Sequence, residues 1–193
     1  MAQLGLFGDH RHTLLDDATG TITYLPGWID APTASAWFEA LRSSVAWRSE
    51  RRRMYDRDVD VPRLVAGYRL DAEDLPPELA RAARRAGAAS GGVVFTNAGL
   101  NLYRDGRDSV APHNDHLYEI VAGFPIALVS LGAVRRMTIR SKARPRRILD
   151  LDLEHGSVIV MSYETQKHYD HGIPKVGAAV GARISLAFRV RPA

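Results

Sequence analysis

The chain has 193 residues, a formal net charge of +4 from 26 basic and 22 acidic side chains, and no cysteine. That length is most simply one domain with a real core, the missing thiols exclude disulfides and thiolate metal sites, and no apolar run reaches the roughly 18 residues of a membrane helix. No basic stretch followed by an apolar one opens the sequence, so a cytoplasmic protein is expected.

Residues 1–12 read as a loose terminus. Within it Gln3, Leu4, Leu6 and Phe7 belong to Q-L-G-L-F, which is similar to the short peptide that docks bacterial repair and replication proteins on the sliding clamp. There the Leu and Phe side chains would fill an apolar pocket at the cost of ordering a flexible end; a frayed end or a core-docking strand is the plain alternative. Thr21–Leu25 alternates and predicts a strand, with Pro26-Gly27 as its turn. Asp30 is placed to cap a helix over 31–44, with Pro32 in its first turn and Trp37, Leu41 and Val45 on one face. Two basic segments, Arg48–Arg57 and Arg140–Arg147, suit a phosphate backbone and equally suit solvated loops. Val59–Leu70 predicts extended chain broken at Pro62 and Gly67, and Pro76-Pro77 open a second helix ending at Gly87, with Leu79, Ala82, Ala83 and Ala86 as its apolar stripe.

From Val93 onward short strands follow at regular intervals: Val93–Thr96, Leu100–Arg104, a segment around His113, Ile126–Leu131, Met137–Arg140, Ile148–Leu153, Ser157–Met161 and Arg183–Val190. Asp105-Gly106 and His155-Gly156 are hairpin-type turn signals. The pattern predicts an α+β fold: a double-sheet β-roll, or jelly roll, whose N-terminal helices cover one sheet.

Three of these segments carry chemistry. In Pro112–His116, read as P-H-N-D-H, His113 and Asp115 stand two apart, so on a strand both leave the same face. An imidazole beside a carboxylate is two-thirds of the facial triad that holds non-haem Fe(II), although a His-x-Asp triplet alone is a common chance pattern. On the last strand Arg183, Ser185, Ala187 and Arg189 take one face and Ile184, Leu186, Phe188 and Val190 the other. Two cations opposite a packed apolar face call for anionic partners, and guanidinium forks match a dicarboxylate. Asn101 and Tyr103 share a strand face in the same way and could hydrogen-bond that ligand, or serve as a buried, satisfied pair.

From about Val93 to Pro192 these residues make the chain resemble the AlkB branch of Fe(II)/2-oxoglutarate-dependent dioxygenases. The matching motifs are N-x-Y (Asn101, Tyr103), H-x-D (His113, Asp115), P-I-A-x-x-S-L-G (Pro125–Gly132), E-H-G (Glu154–Gly156), Y-x-H-G-I (Tyr169–Ile173) and R-x-S-x-x-x-R (Arg183, Ser185, Arg189). The resemblance implies a single dioxygenase domain with a nucleotide-recognition lid at about 46–70 and a jelly-roll core at about 93–192. It implies His113, Asp115 and His171 as iron ligands, His171 being preferred over His116 and His168 because it holds the family's place before Gly-Ile. Arg183, helped by Tyr103, would grip the distal carboxylate of 2-oxoglutarate; Asn101 and Arg189 would sit near the chelating end, with Ser185 between the two arginines. Oxidation of an N-methyl group with Fe(II), O2 and 2-oxoglutarate would release formaldehyde, succinate and CO2 and restore the base.

Family substrates are alkylated bases, which leave the duplex to reach such a metal. Tyr55 and Tyr68 could stack on a flipped base, Arg52 with its neighbours could hold phosphates, and Leu117 and Glu119 stand near where the family contacts the base. Three departures stand out: Leu117 where an acid is usual, Ser185 where Asn is usual, and Asp150 where an Arg faces substrate. The expected function is oxidative demethylation of alkylated DNA by a monomer, with the sliding clamp as a second partner. The alternatives are the same chemistry on RNA, protein or a small molecule, and a non-enzymatic nucleic-acid-binding β-roll.

Overall fold

The computed structural model describes residues 11–54 and 57–192, apart from the side chains of 51–60. The peptide Gln3–Phe7 and Tyr55 lie outside the described residues, as does the side chain of Arg52. The chain runs through β1 (His12–Asp17), β2 (Gly20–Leu25), α1 (Ala31–Ser44), β3 (Arg48–Met54), β4 (Arg57–Arg69), α2 (Pro77–Ala89), β5 (Asn97–Tyr103) and β6 (Val110–His113). It continues with β7 (Ile126–Gly132), β8 (Arg135–Ser141), β9 (Ile148–Leu153), β10 (Ser157–Met161), α3 (Thr165–His168), β11 (Tyr169–Ile173) and β12 (Arg183–Arg189).

Two sheets face each other. An eight-stranded sheet has the order β1-β2-β10-β7-β12-β5-β4-β3, and a four-stranded sheet the order β6-β11-β8-β9. Alternation along the strands builds two cores. Ile184, Leu186 and Phe188 of β12 join Val129 and Leu131 of β7 under Trp37 and Leu41 of α1 and Leu79 and Ala82 of α2. The opposite faces pack between the sheets, where Leu128 and Ala187 meet Met137, Ile139, Tyr169 and Ile173. Central strands sealed on both sides read as continuous apolar runs, which explains Ile126–Leu131. The helices therefore cover the larger sheet, as the sequence predicts, and α1 is capped by the Asp30 carboxylate, which accepts from the Thr33 N–H at 2.9 Å.

The departures are local and have physical reasons. Val93–Thr96 is not a strand; the ladder starts at Asn97, after Thr96 has bonded irregularly to both Leu70 and Arg189. β4 runs unbroken through Pro62 and Gly67, because Pro62 lies where the pairing with β3 slips register, between the Ser49 and Arg51 partners, so its missing N–H costs no ladder bond there. Neither turn signal makes a hairpin: β5 pairs with β4 and β12 while β6 belongs to the other sheet, and His155-Gly156 carries the chain from β9 across to β10. The β1, β3 and β11 strands were not predicted as strands. The segment expected as a lid forms β3 and β4, the edge of the larger sheet.

The crossing at Gly156 is tight. Its φ is +76°, a Cβ there would overlap the Ile29 carbonyl oxygen, and its own carbonyl accepts from the Ile29 N–H at 2.9 Å. Gly156→Ala is expected to destabilise the protein by about 2 kcal/mol, combining left-handed strain with displacement of that loop. Urea unfolding should show this as a lower midpoint at unchanged slope.

Candidate active site

His113 ends β6, and the antiparallel register sets it directly opposite His171 of β11. The two rings come to 4.6 Å between centroids. Burial, reinforced by His113, pushes the His171 pKa down to about 4, so near neutral pH it is the uncharged imidazole that metals bind. His113 Nδ1 lies 3.0 Å from the Ala111 carbonyl, which can only accept, so a proton on Nδ1 is held there and Nε2 is the ring nitrogen left to meet a cation. Asp115 lies beyond the strand, in the following loop, not on a strand face shared with His113. Its N–H donates to the Gln166 side chain at 3.0 Å, and Lys142 ties the same turn together by donating to Asn114 Oδ1 and the Gln166 carbonyl.

Arg189 fixes the carboxylate. Its Nη2 reaches Asp115 Oδ1 at 2.8 Å and its Nε reaches Oδ2 at 3.1 Å, with both side chains largely buried. Burial works against the charge on Asp115, but Arg189 outweighs it and holds the carboxyl below its ordinary value. Gly99, opposite Ala187, leaves the room that Arg189 crosses; a Cβ there would stand 3.3 Å from Nη1. Among the described residues no three His, Asp or Glu side chains form a closed metal cage as they stand. The donor set nevertheless fits a divalent cation, with two imidazoles and one carboxylate. Arg189 occupies two of the roughly four lone-pair sites of that carboxylate, leaving others for ligation.

Beside this cluster β12 lies between β5 and β7, pairing Arg183 with Tyr103 and Ser185 with both Asn101 and Ser130. Arg183 is sealed from solvent, donates from Nε to Ser130 Oγ at 2.9 Å, and lies 5.2 Å from the Tyr103 ring centroid. Its Nη1 is buried with no hydrogen-bond partner, the state of a donor built to meet a ligand. Asn101 accepts from Arg63 Nε at 2.7 Å.

A cleft of about 640 Å³ opens over His113 and Asp115, with Val61, Pro62 and Arg63 on one wall, His116, Glu119 and Ile120 on the other, and Arg189 beneath. Two sequence-predicted substrate residues do not reach it. Tyr68 packs against the helix-side core, and Leu117 is absent from the lining because the single turn Leu117–Glu119 directs it elsewhere. Glu119 does line the cleft but is paired with Arg191 at 2.8 Å. Asp150 sits on the β8–β9 hairpin and accepts from Thr138 at 2.7 Å. Sequence reasoning missed Arg63, Gln166 and Arg135; Arg63 lay in the extended segment expected as a lid but was not singled out there, and nothing marks a glutamine in a four-residue helix.

The family model of the 2OG-Fe(II) oxygenase superfamily matches residues 21–189. The chain belongs to that superfamily, whose cofactor and cosubstrates are Fe(II), 2-oxoglutarate and O2. Its relatives place it among AlkB-like members. It is 32% identical over 131 residues to the DNA oxidative demethylase ALKBH2 of Bos taurus, covering 64% of this chain and 47% of that protein. It is 28% identical over 201 residues to the human alpha-ketoglutarate-dependent dioxygenase alkB homolog 3, covering 94% of this chain and 70% of that protein. The chain thus spans about half the length or less of the mammalian ALKBH2 proteins it matches. In fold it is similar to the solved structure of OsALKBH1, with a TM-score of 0.64 at 12% identity, covering 93% of this chain and all of the other.

Arg189→Met should leave the Asp115 carboxylate without its charge partner. The expected results are a loss of about 2 kcal/mol of stability, below the roughly 3–5 of a fully buried pair, and about 10-fold weaker Mn(II) binding by calorimetry. Arg191→Met, which frees only Glu119, should leave Mn(II) affinity unchanged.

Proposed function

We propose that the protein oxidatively demethylates N-alkylated bases of DNA. The observation that carries this reading is a cleft that opens over His113 and Asp115, with His171 packed against His113, Arg189 holding the carboxylate, and a buried arginine with a free donor on the same strand as Arg189. His113, Asp115 and His171 hold the iron, and Arg183 with Tyr103 takes the distal carboxylate of 2-oxoglutarate. Asn101 and Ser185 line the path between them on neighbouring strands. When bound, iron with 2-oxoglutarate and O2 supplies the oxidant: one oxygen atom enters the substrate methyl group, the other enters succinate, and CO2 leaves. The resulting N–CH2OH group passes its hydroxyl proton to the ring nitrogen as the C–N bond breaks, giving formaldehyde and the repaired base.

The residues of the chain do the positioning. His113 Nδ1–H is held on Ala111, so the ring cannot turn its free nitrogen away from the floor. Arg189 keeps Asp115 ionised. A base in a duplex would have to leave the helix to reach the cleft floor, at a cost of a few kcal/mol that alkylation-weakened pairing reduces. Arg63 and Glu119 stand on opposite walls as the polar groups that a base edge would meet. The named activity of ALKBH2, DNA oxidative demethylase, supports alkylated DNA as the substrate class, and that of alkB homolog 3 supports the dioxygenase chemistry. Docking on the sliding clamp through Gln3, Leu4, Leu6 and Phe7 is part of the same proposal, and deleting residues 1–8 should abolish clamp binding in a pull-down without lowering turnover.

The decisive assay loads Fe(II) anaerobically and adds O2, 2-oxoglutarate and a single-stranded oligonucleotide containing 1-methyladenine or 3-methylcytosine. Succinate, formaldehyde and repaired base should appear in equal amounts, and His113→Ala should lower all three at least 100-fold. Succinate without repair would sink the DNA reading and turn the search to RNA; no succinate from iron-loaded protein would sink both.

A further inference from the structure

Tyr103 stands beside two buried guanidinium groups, not one. Arg183 of β12 lies 5.2 Å from the ring centroid and Arg135 of β8 lies 5.6 Å from it. They come from different sheets, and their exposures are 1% and 2%, so water reaches neither. Arg135 spends its terminal nitrogens on main-chain carbonyls: Nη1 donates to Asp105, and Nη2 to Asp108 and Pro174, at 2.8–2.9 Å. Arg183 spends Nε on Ser130. What remains is Arg135 Nε and Arg183 Nη1, and among the described residues these are the two buried side-chain nitrogen or oxygen atoms without a hydrogen-bond partner.

Neither guanidinium has a carboxylate in salt-bridge contact among the described residues, although Asp108 and Asp105 act on Arg135 from farther off. The neighbouring carboxylate, Asp108, is taken on both oxygens by Arg104, at 2.8 and 2.9 Å. Burial lowers the proton affinity of both groups, Tyr103 opposing it in each, and on Arg183 the charge of Arg135 adds to the lowering. Arginine nonetheless stays protonated in proteins. Two like charges in one dry pocket, each with a free N–H, are costly unless an anion joins them.

We propose that Arg135 is a second cation of the cosubstrate pocket, sharing the distal carboxylate of 2-oxoglutarate with Arg183. This rests on the assignment of Arg183 made above. Through its carbonyl bonds Arg135 also ties the anion site to the Asp105–Asp108 loop and to Pro174, just past β11, so the carboxylate is gripped from both sheets. A pocket with two cations selects dicarboxylate 2-oxo acids over those ending in a methyl group.

The test is calorimetric binding to Mn(II)-loaded protein, without turnover, of 2-oxoglutarate and of 2-oxopentanoate, which has the same keto-acid head and no distal carboxylate. Arg135→Met should weaken 2-oxoglutarate about 10-fold or more and leave 2-oxopentanoate unchanged. Equal losses for both ligands, or none for either, would make Arg135 a structural clamp only and overturn the proposal. Arg183→Met is run alongside. If it leaves 2-oxoglutarate binding intact, the pocket assignment itself is wrong; if it alone weakens binding, only the role of Arg135 is. Should Arg135→Met fail to fold, Arg135→Lys keeps the charge and loses the fork, and about threefold weaker 2-oxoglutarate with unchanged 2-oxopentanoate is the supporting result.

Discussion

A strand buried on both faces has no solvent to give a charge, and β12 carries two arginines. That constraint organises the site. The face turned toward the helices is wholly apolar, so Arg183 and Arg189 must both find anions on the inner side. Arg189 finds one within the chain, the Asp115 carboxylate, and the bidentate pair ties the β6 loop to the larger sheet. Arg183 finds none among the described residues and keeps a donor in reserve. One strand thus supplies a structural ion pair at one end and a ligand-seeking cation at the other, with Ser185 and Ala187 on the same face between them.

The smaller sheet provides the complementary half. Its β6–β11 register places His113 against His171, and the burial that comes from facing the larger sheet keeps His171 neutral. No single element contains the site: the imidazoles come from one sheet, Arg183 and Arg189 from the other, and Asp115 bridges them through Arg189. Activity of this kind therefore depends on the two sheets keeping their spacing, which the packing of Leu128, Ala187, Met137 and Ile139 between them sets.

What the sequence disclosed follows from periodicity. A β-strand repeats every two residues, so the two faces of Arg183–Val190 and the pairing of Asn101 with Tyr103 could be read directly, and they stand together in the structure. The helices were legible for the same reason, through caps and stripes. Arg135 was invisible because it precedes Arg136 at a strand start and looks like one of many surface arginines; only the opposing sheet makes it buried. Asp115 was placed correctly in company but for the wrong reason, since its loop and not strand alternation brings it to the imidazoles. Tyr68 shows the converse failure: an aromatic in a basic, extended segment suggested base stacking, but its strand face turns toward the helices, and core packing took it.

The parts of the site differ in how much freedom they have. The cations, imidazoles and carboxylate sit on paired strands or are tied by several hydrogen bonds, so substitutions there disturb the fold and the chemistry together. The cleft walls are built otherwise. Pro62 and Arg63 lie at a register slip near the edge of the larger sheet, and His116, Glu119 and Ile120 on a loop and one helical turn, places where sequence can change without rupturing a ladder. Leu117, two residues after Asp115, does not line the cleft; Glu119 does, its charge balanced by Arg191. A carboxylate already paired with arginine is a weaker acceptor for a base amino group than a free one, but it holds its position more firmly. The core residues of the site are thus held by the fold, while the cleft walls come from segments that can change without breaking a ladder.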